Sequence, residues 1–250
     1  MGEGLIFWTV FAGVASALAT GLGAIGAAFI PKRRMDLRAF AAAAAAGMMV
    51  AASLFSLVGE GMAMHEAPWP GLQVVAGLLM GAAFFAWVER RFKEPDGDRL
   101  QRRSWMVFVA MFIHSIPEGV ALGVGFATGH WMVGALMALV IAVHNVPEGL
   151  AIALPIRAEG GSLWRCIGLA VLSSLPQPIV AVPALLGFAY VQSLLPVGLG
   201  FAAGAMLYLS FVELVPEALK ESDPQTAAWG LMTGLAMMLL MTMGLQALLG

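Results

Sequence analysis

Residues 104–154 read SWMVFVAMFIHSIPEGVALGVGFATGHWMVGALMALVIAVHNVPEGLAIAL. Two features of this stretch decide the fold. The first is near-continuous apolar character, interrupted at Thr128-Gly129-His130. Each half is long enough to cross a bilayer as a helix, which takes about 20 residues. The second is a polar hexapeptide set inside each half: His114-Ser115-Ile116-Pro117-Glu118-Gly119 and His144-Asn145-Val146-Pro147-Glu148-Gly149. Five of the six positions match, counting Ile116 with Val146. Ionisable groups at mid-membrane depth are costly, so they read as functional.

Working outward, apolar runs recur at 5–30, 38–61, 70–89, 104–128, 131–154, 164–188, 193–219 and 226–249. They predict eight transmembrane helices. Of the 250 residues, 60% are hydrophobic and 11% charged, and mean hydropathy is +0.88. A soluble domain turns its exterior to water and has no use for so much apolar surface. A net charge of −2 offers nothing to nucleic acid. The single cysteine, Cys166, excludes an intrachain disulfide. The run from Leu5 to Ile30 is too long for a signal-peptide core. No positive residue precedes it and Pro31-Lys32-Arg33-Arg34 follows it, so it reads as a retained first span.

Charge placement tests the count. All 13 Lys and Arg residues fall at or between spans 1–2, 3–4, 5–6 or 7–8. An eight-span chain places those four connections on one face, and short basic loops stay in the cytoplasm. Both termini are then expected on the non-cytoplasmic side. The fold class is an all-α polytopic membrane protein, one eight-helix domain over residues 1–250. Its longest polar segment, 89–103, reads as a solvated cytoplasmic loop between spans 3 and 4. The expected location is the inner (cytoplasmic) cell membrane, with the lipid bilayer as partner.

Two internal similarities cross the chain. The hexapeptides relate spans 4 and 5. The stretch from Ala46-Gly47-Met48-Met49 to Glu60 relates span 2 to span 7, from Ala203-Gly204-Ala205-Met206 to Glu217. Each similarity joins an even span to an odd one, so the copies cross in opposite directions. Inverted repeats with polar, Pro-interrupted helices near the midplane are a transporter signature.

Residues four apart share a helix face. His114 projects with Glu118, and His144 with Glu148. Two imidazoles and two carboxylates form a set that zinc accepts in tetrahedral geometry and that other first-row divalent ions accept too. Pro117 and Pro147 should free the carbonyls of Ile113 and Val143. Freed carbonyls at this depth line cavities or bind ions. Glu213 in span 7 is a candidate pathway ligand. Glu60 and Glu217 read as interfacial. Met48 and Met49 sit mid-span, with packing as their default role. Ala41 to Gly47 form a small-residue surface suited to close contact or to sliding. His65 and Glu66 fall in a non-cytoplasmic loop, and His130 in a short turn.

The paired HxxPEG helices, Ala46-Gly47-Met48-Met49 and Glu213-Leu214-Val215-Pro216-Glu217 resemble the ZIP (Zrt-, Irt-like) family of metal transporters, bacterial members above all. The resemblance covers all eight spans and agrees with both termini outside. It implies uptake of zinc, and in some members iron, manganese or cadmium, toward the cytoplasm. It implies a binuclear centre between spans 4 and 5. Its main site would use His114, Glu118, His144 and Glu148, with Met49 contributing. Its second site would use Ser115, Asn145 and Gln177, with Glu148 bridging and Glu213 nearby. It also implies an elevator-like movement of spans 1, 4, 5 and 6 against 2, 3, 7 and 8.

The chain departs from that pattern at Ser115, where relatives carry Asn or Asp, and at Gln177-Pro178, where they carry Glu-Pro. The second site thereby loses negative charge, and one dominant metal site is expected. Divalent metal ions are the expected partners, with no prosthetic group. The oligomeric state stays open, a homodimer being one option. The runner-up reading is a membrane metalloenzyme using the same cluster to activate water. Against it, no HExxH pattern is present and the inverted repeats go unexplained. A metal sensor lacks a soluble region to pass a signal through.

Overall fold

The computed structural model describes residues 3–30, 35–64, 69–91, 99–127, 131–187 and 192–249. Among these, eight helices are long and apolar enough to cross a membrane. They are α1 (Gly4–Phe29), α2 (Asp36–Met62), α3 (Pro70–Arg91), α4 (Val107–Ala127), α5 (Trp131–Ala158), α6 (Leu163–Leu186), α7 (Leu195–Glu221) and α8 (Pro224–Gly244). The described residues contain no strand. In lipid only structures that satisfy their own backbone groups can span, and a helix does so within one segment.

Helix extends into the polar stretch 89–103 from both sides. The segment ending α3 runs to Arg91, and the helix that becomes α4 starts at Arg99. A helix keeps its backbone bonds as it enters water, and Arg90 and Arg91 suit the negative end of the α3 dipole.

The principal helix pairs are α1 with α5, α4 with α6, α2 with α8, and α3 with α7. Glycine permits the approach. A Cβ at Gly149 of α5 would collide with the carbonyl oxygen of Thr20 on α1, and one at Gly123 of α4 with that of Ala181 on α6. Bilayer helices gain little from hydrophobic association, so close backbone contact and dispersion hold them. Residues 42–49 of α2 are all buried, and Gly47 abuts the backbone of Leu231 on α8. The small-residue face is thus used for tight packing.

The pairing scheme carries the internal symmetry. Exchanging α1–α3 with α6–α8, and α4 with α5, turns the α1–α5 pair into α6–α4 and the α2–α8 pair into α7–α3. Local structure agrees: α2 widens into a π-helical segment at Ala52–Val58, and α7 at Ser210–Leu214. Ser53 and Ser210 occupy matching places in the two copies. Two four-helix groups result, α1/α4/α5/α6 and α2/α3/α7/α8. They meet where α4 touches α7 and α5 touches α2.

α4 and α5 stay helical through Pro117 and Pro147. α6 does not: it breaks into Leu163–Ser173 and Pro176–Leu186, with Ser174 between at φ −96° and ψ 0°. Pro176 opens the second half, where its fixed φ fits and its missing N–H is not needed. Gln177 therefore stands in the first turn of a half-helix inside the membrane-spanning segment.

Candidate metal site

One helical turn separates His114 from Glu118 on α4, and α5 brings Glu148 against both. Nε2 of His114 lies 3.2 Å from Oε1 of Glu118 and 3.2 Å from Oε1 of Glu148. The three side chains are buried, and their ligand atoms all lie within 4.8 Å of one another. Ligands bound at about 2.1 Å around a tetrahedral ion stand roughly 3.4 Å apart. The cluster is already near that spacing. Two carboxylates and an imidazole in a dry interior are costly unless compensated, and a divalent cation compensates them. Nδ1 of His114 and Oε2 of Glu148 have no hydrogen-bond partner.

His144 stands beside this cluster. It is buried, its Nε2 has no hydrogen-bond partner, and the charges of Glu118 and His114 reach it. The group that the structure draws together consists of His114, Glu118 and Glu148.

A second layer holds Glu118 in place. Nε2 of Gln177 donates to Oε2 of Glu118 at 2.7 Å. Gln177 and Asn145 exchange hydrogen bonds, each amide nitrogen 3.1 Å from the other's oxygen. Nδ2 of Asn145 also donates to the carbonyl oxygen of Ser16 at 2.7 Å and contacts its Oγ at 3.0 Å. The chain Ser16–Asn145–Gln177–Glu118 thus joins α1, α5, α6 and α4, and all four side chains are buried. Buried hydrogen-bond networks of this kind fix geometry. Ser115 is buried too, with Oγ donating to the Met111 carbonyl oxygen at 2.9 Å. Sequence reading missed Ser16, because one serine in an apolar run carries no signal of its partner.

Three further sequence candidates, Met49, Glu60 and Glu213, lie on α2 and α7. Met49 is fully buried in the main apolar core with Ala45, Ala46 and Met206. Glu213 sits in the π-helical segment of α7, half-buried. Its charge bears on Tyr208, whose Oη donates to Oε2 of Glu89 on α3 at 2.9 Å. Glu60 is half-buried in the last turn of α2, and the charge of Glu118 reaches it. His65, Glu66 and His130 lie outside the described residues.

Residues 90–242 match the family described as ZIP Zinc transporter. The chain belongs to the ZIP zinc transporter family. Zinc transporter GufA of Myxococcus xanthus is 34% identical over 258 residues, covering 98% of this chain and 100% of GufA. Zinc transporter ZIPB of Bordetella bronchiseptica is 36% identical over 255 residues, covering 93% of this chain and 79% of ZIPB. A longer chain of Arabidopsis thaliana, also named for zinc transport, is 36% identical over 224 residues, 86% of this chain and 35% of its own length. The resemblance read from the hexapeptides therefore holds over nearly the whole chain. The chain is a multi-pass membrane protein of a transporter family, and the metalloenzyme reading is set aside because these relatives are named transporters.

Proposed function

We propose that the chain carries Zn²⁺ across the inner cell membrane into the cytoplasm, with His114, Glu118 and Glu148 as its central ligands. The observation that carries this reading is the buried His114–Glu118–Glu148 cluster midway along α4 and α5. Membership of a zinc-transporter family supports zinc as the ion. Nitrogen and carboxylate ligands also suit Fe²⁺, Mn²⁺ and Cd²⁺, which are proposed as secondary substrates. His144 is the fourth ligand in this reading, joining as the ion arrives. Met49 contributes to this site from α2, and Glu213 of α7 is a ligand of the pathway. Segregation of the basic residues supports both termini outside.

A single ion is proposed. The amides of Asn145 and Gln177 are committed to each other, to Glu118 and to Ser16, and the Ser115 hydroxyl to Met111. Neutral amides also bring no charge to balance a second divalent ion.

The test is ⁶⁵Zn²⁺ uptake into proteoliposomes by wild type, Glu118→Ala and Glu148→Ala. Uptake by wild type and its loss in both folded variants is expected. Equal uptake by wild type and both variants would reject this site.

A further inference from the structure

Arg157 has no carboxylate partner among the described residues. Its Nη1 donates to the carbonyl oxygen of Gly161 at 3.1 Å, and its Nε is buried with no hydrogen-bond partner. The nearby Glu159 instead accepts from Ser104. A buried guanidinium N–H left unpaired is costly, so a missing acceptor is implied.

Arg157 lines a cavity of about 60 Å³ at the basic ends of α1, α2 and α5. Arg38 lines the same cavity, and Ala27, Ile30, Leu154 and Ala158 complete its wall. Arg38 contacts Glu221 through Nη2 and Oε1 at 2.9 Å. Arg38 and Arg157 thus bring two guanidiniums to one cavity wall. One water needs roughly 10–15 Å³ in this measure, so the space suits about five non-hydrogen atoms, the size of a phosphate group.

We propose that this cavity binds a phosphate oxyanion between Arg38 and Arg157. Guanidinium forks match phosphate oxygens in geometry as well as charge. Basic pockets between transmembrane helices on the cytoplasmic side suit anionic lipid headgroups. The apolar wall favours a headgroup, whose glycerol can lie along it, while free phosphate presents the same oxygens. The site also spans the boundary between the two helix groups, since α1 and α5 belong to one and α2 to the other. Bound phosphate therefore ties the groups together at their basic ends.

The test is thermal unfolding of the detergent-purified full chain, titrated with phosphatidylglycerol, inorganic phosphate or, as control, diacylglycerol. Wild type should show a saturable rise in melting temperature with at least one phosphate probe and none with diacylglycerol. Stabilisation by phosphatidylglycerol alone identifies the headgroup, and stabilisation by inorganic phosphate as well identifies a free-ion site. Arg157→Gln should weaken the apparent affinity at least tenfold while zinc binding stays unchanged. Arg157→Lys, which keeps the charge and loses the fork, should weaken it several-fold and serves if the glutamine variant does not fold. No stabilisation of wild type by either phosphate probe, or equal stabilisation of the Arg157 variants, overturns the proposal.

Discussion

Replacing Gln177 with Leu tests whether the second layer of the site sets metal affinity. Leu fills much of the same space and removes the amide. The lost bond, Nε2 of Gln177 to Oε2 of Glu118 at 2.7 Å, has a carboxylate as acceptor and is fully buried. Hydrogen bonds to charged groups contribute about 1.5–3 kcal/mol in soluble proteins. Interhelical bonds measured within bilayers average about 0.6 and reach about 1.7 kcal/mol. The membrane values govern here, and the charge places this bond near their upper end. A loss of about 1–2 kcal/mol corresponds to a roughly 5- to 30-fold weaker zinc affinity, at about 1.4 kcal/mol per factor of ten. That range overlaps the 10- to 100-fold typical when a group orienting a metal ligand is removed. The assay is zinc binding by competition with a chromogenic chelator, beside uptake in proteoliposomes. The variant also orphans Oδ1 of Asn145, so its melting temperature should fall. A folded Gln177→Leu protein that binds zinc within about twofold of wild type would refute the reasoning. Glu118 would then hold its orientation without the amide.

Three further outcomes are expected. Gly149→Val drives a side chain into the Thr20 backbone and should destabilise by at least about 1–3 kcal/mol, whereas Gly168→Ala, whose Cβ meets nothing within 4 Å, should be neutral; melting temperatures of the two decide. Zinc affinity should fall as pH is lowered, because carboxylates and imidazole must lose protons to bind metal, and chelator competition at several pH values would expose a pH-independent affinity as a contradiction. Asp223, between α7 and α8, accepts from the backbone N–H of Gln225 and Thr226 and from the Thr226 hydroxyl, which holds its carboxyl below the ordinary 3.8. Its support for the first turn of α8 is therefore present at neutral pH and lost as pH falls below 3.8, and a carbon-13 carboxyl titration of Asp223 with its midpoint at or above 3.8 would contradict this.

The parts of this molecule legible in sequence are those written in periodic or repeated form. Apolar length marks the spans because the bilayer has a fixed thickness, and His114 with Glu118 share a face because the helix has a fixed pitch. What escaped depends on local breaks in those periods. The π-helical segments Ala52–Val58 and Ser210–Leu214 each change the register between the two ends of a helix, yet their composition is ordinary for a span. The break in α6 had a written sign, Ser173-Ser174-Leu175-Pro176, but apolar length alone reads through it. That break is what brings Gln177 to Glu118. An unbroken α6 would carry different backbone directions past Pro176, and the 2.7 Å hydrogen bond from Gln177 to Glu118 would not be retained by default. The helix break and the amide therefore act as one device: the break places an uncharged donor beside one oxygen of Glu118, and Oε1 remains turned toward His114. The proposed central ligands can all be read from the hexapeptides. Why Oε1 of Glu118 faces His114 while Oε2 is held by an amide is explained by the break in α6, a helix that carries none of the proposed ligands.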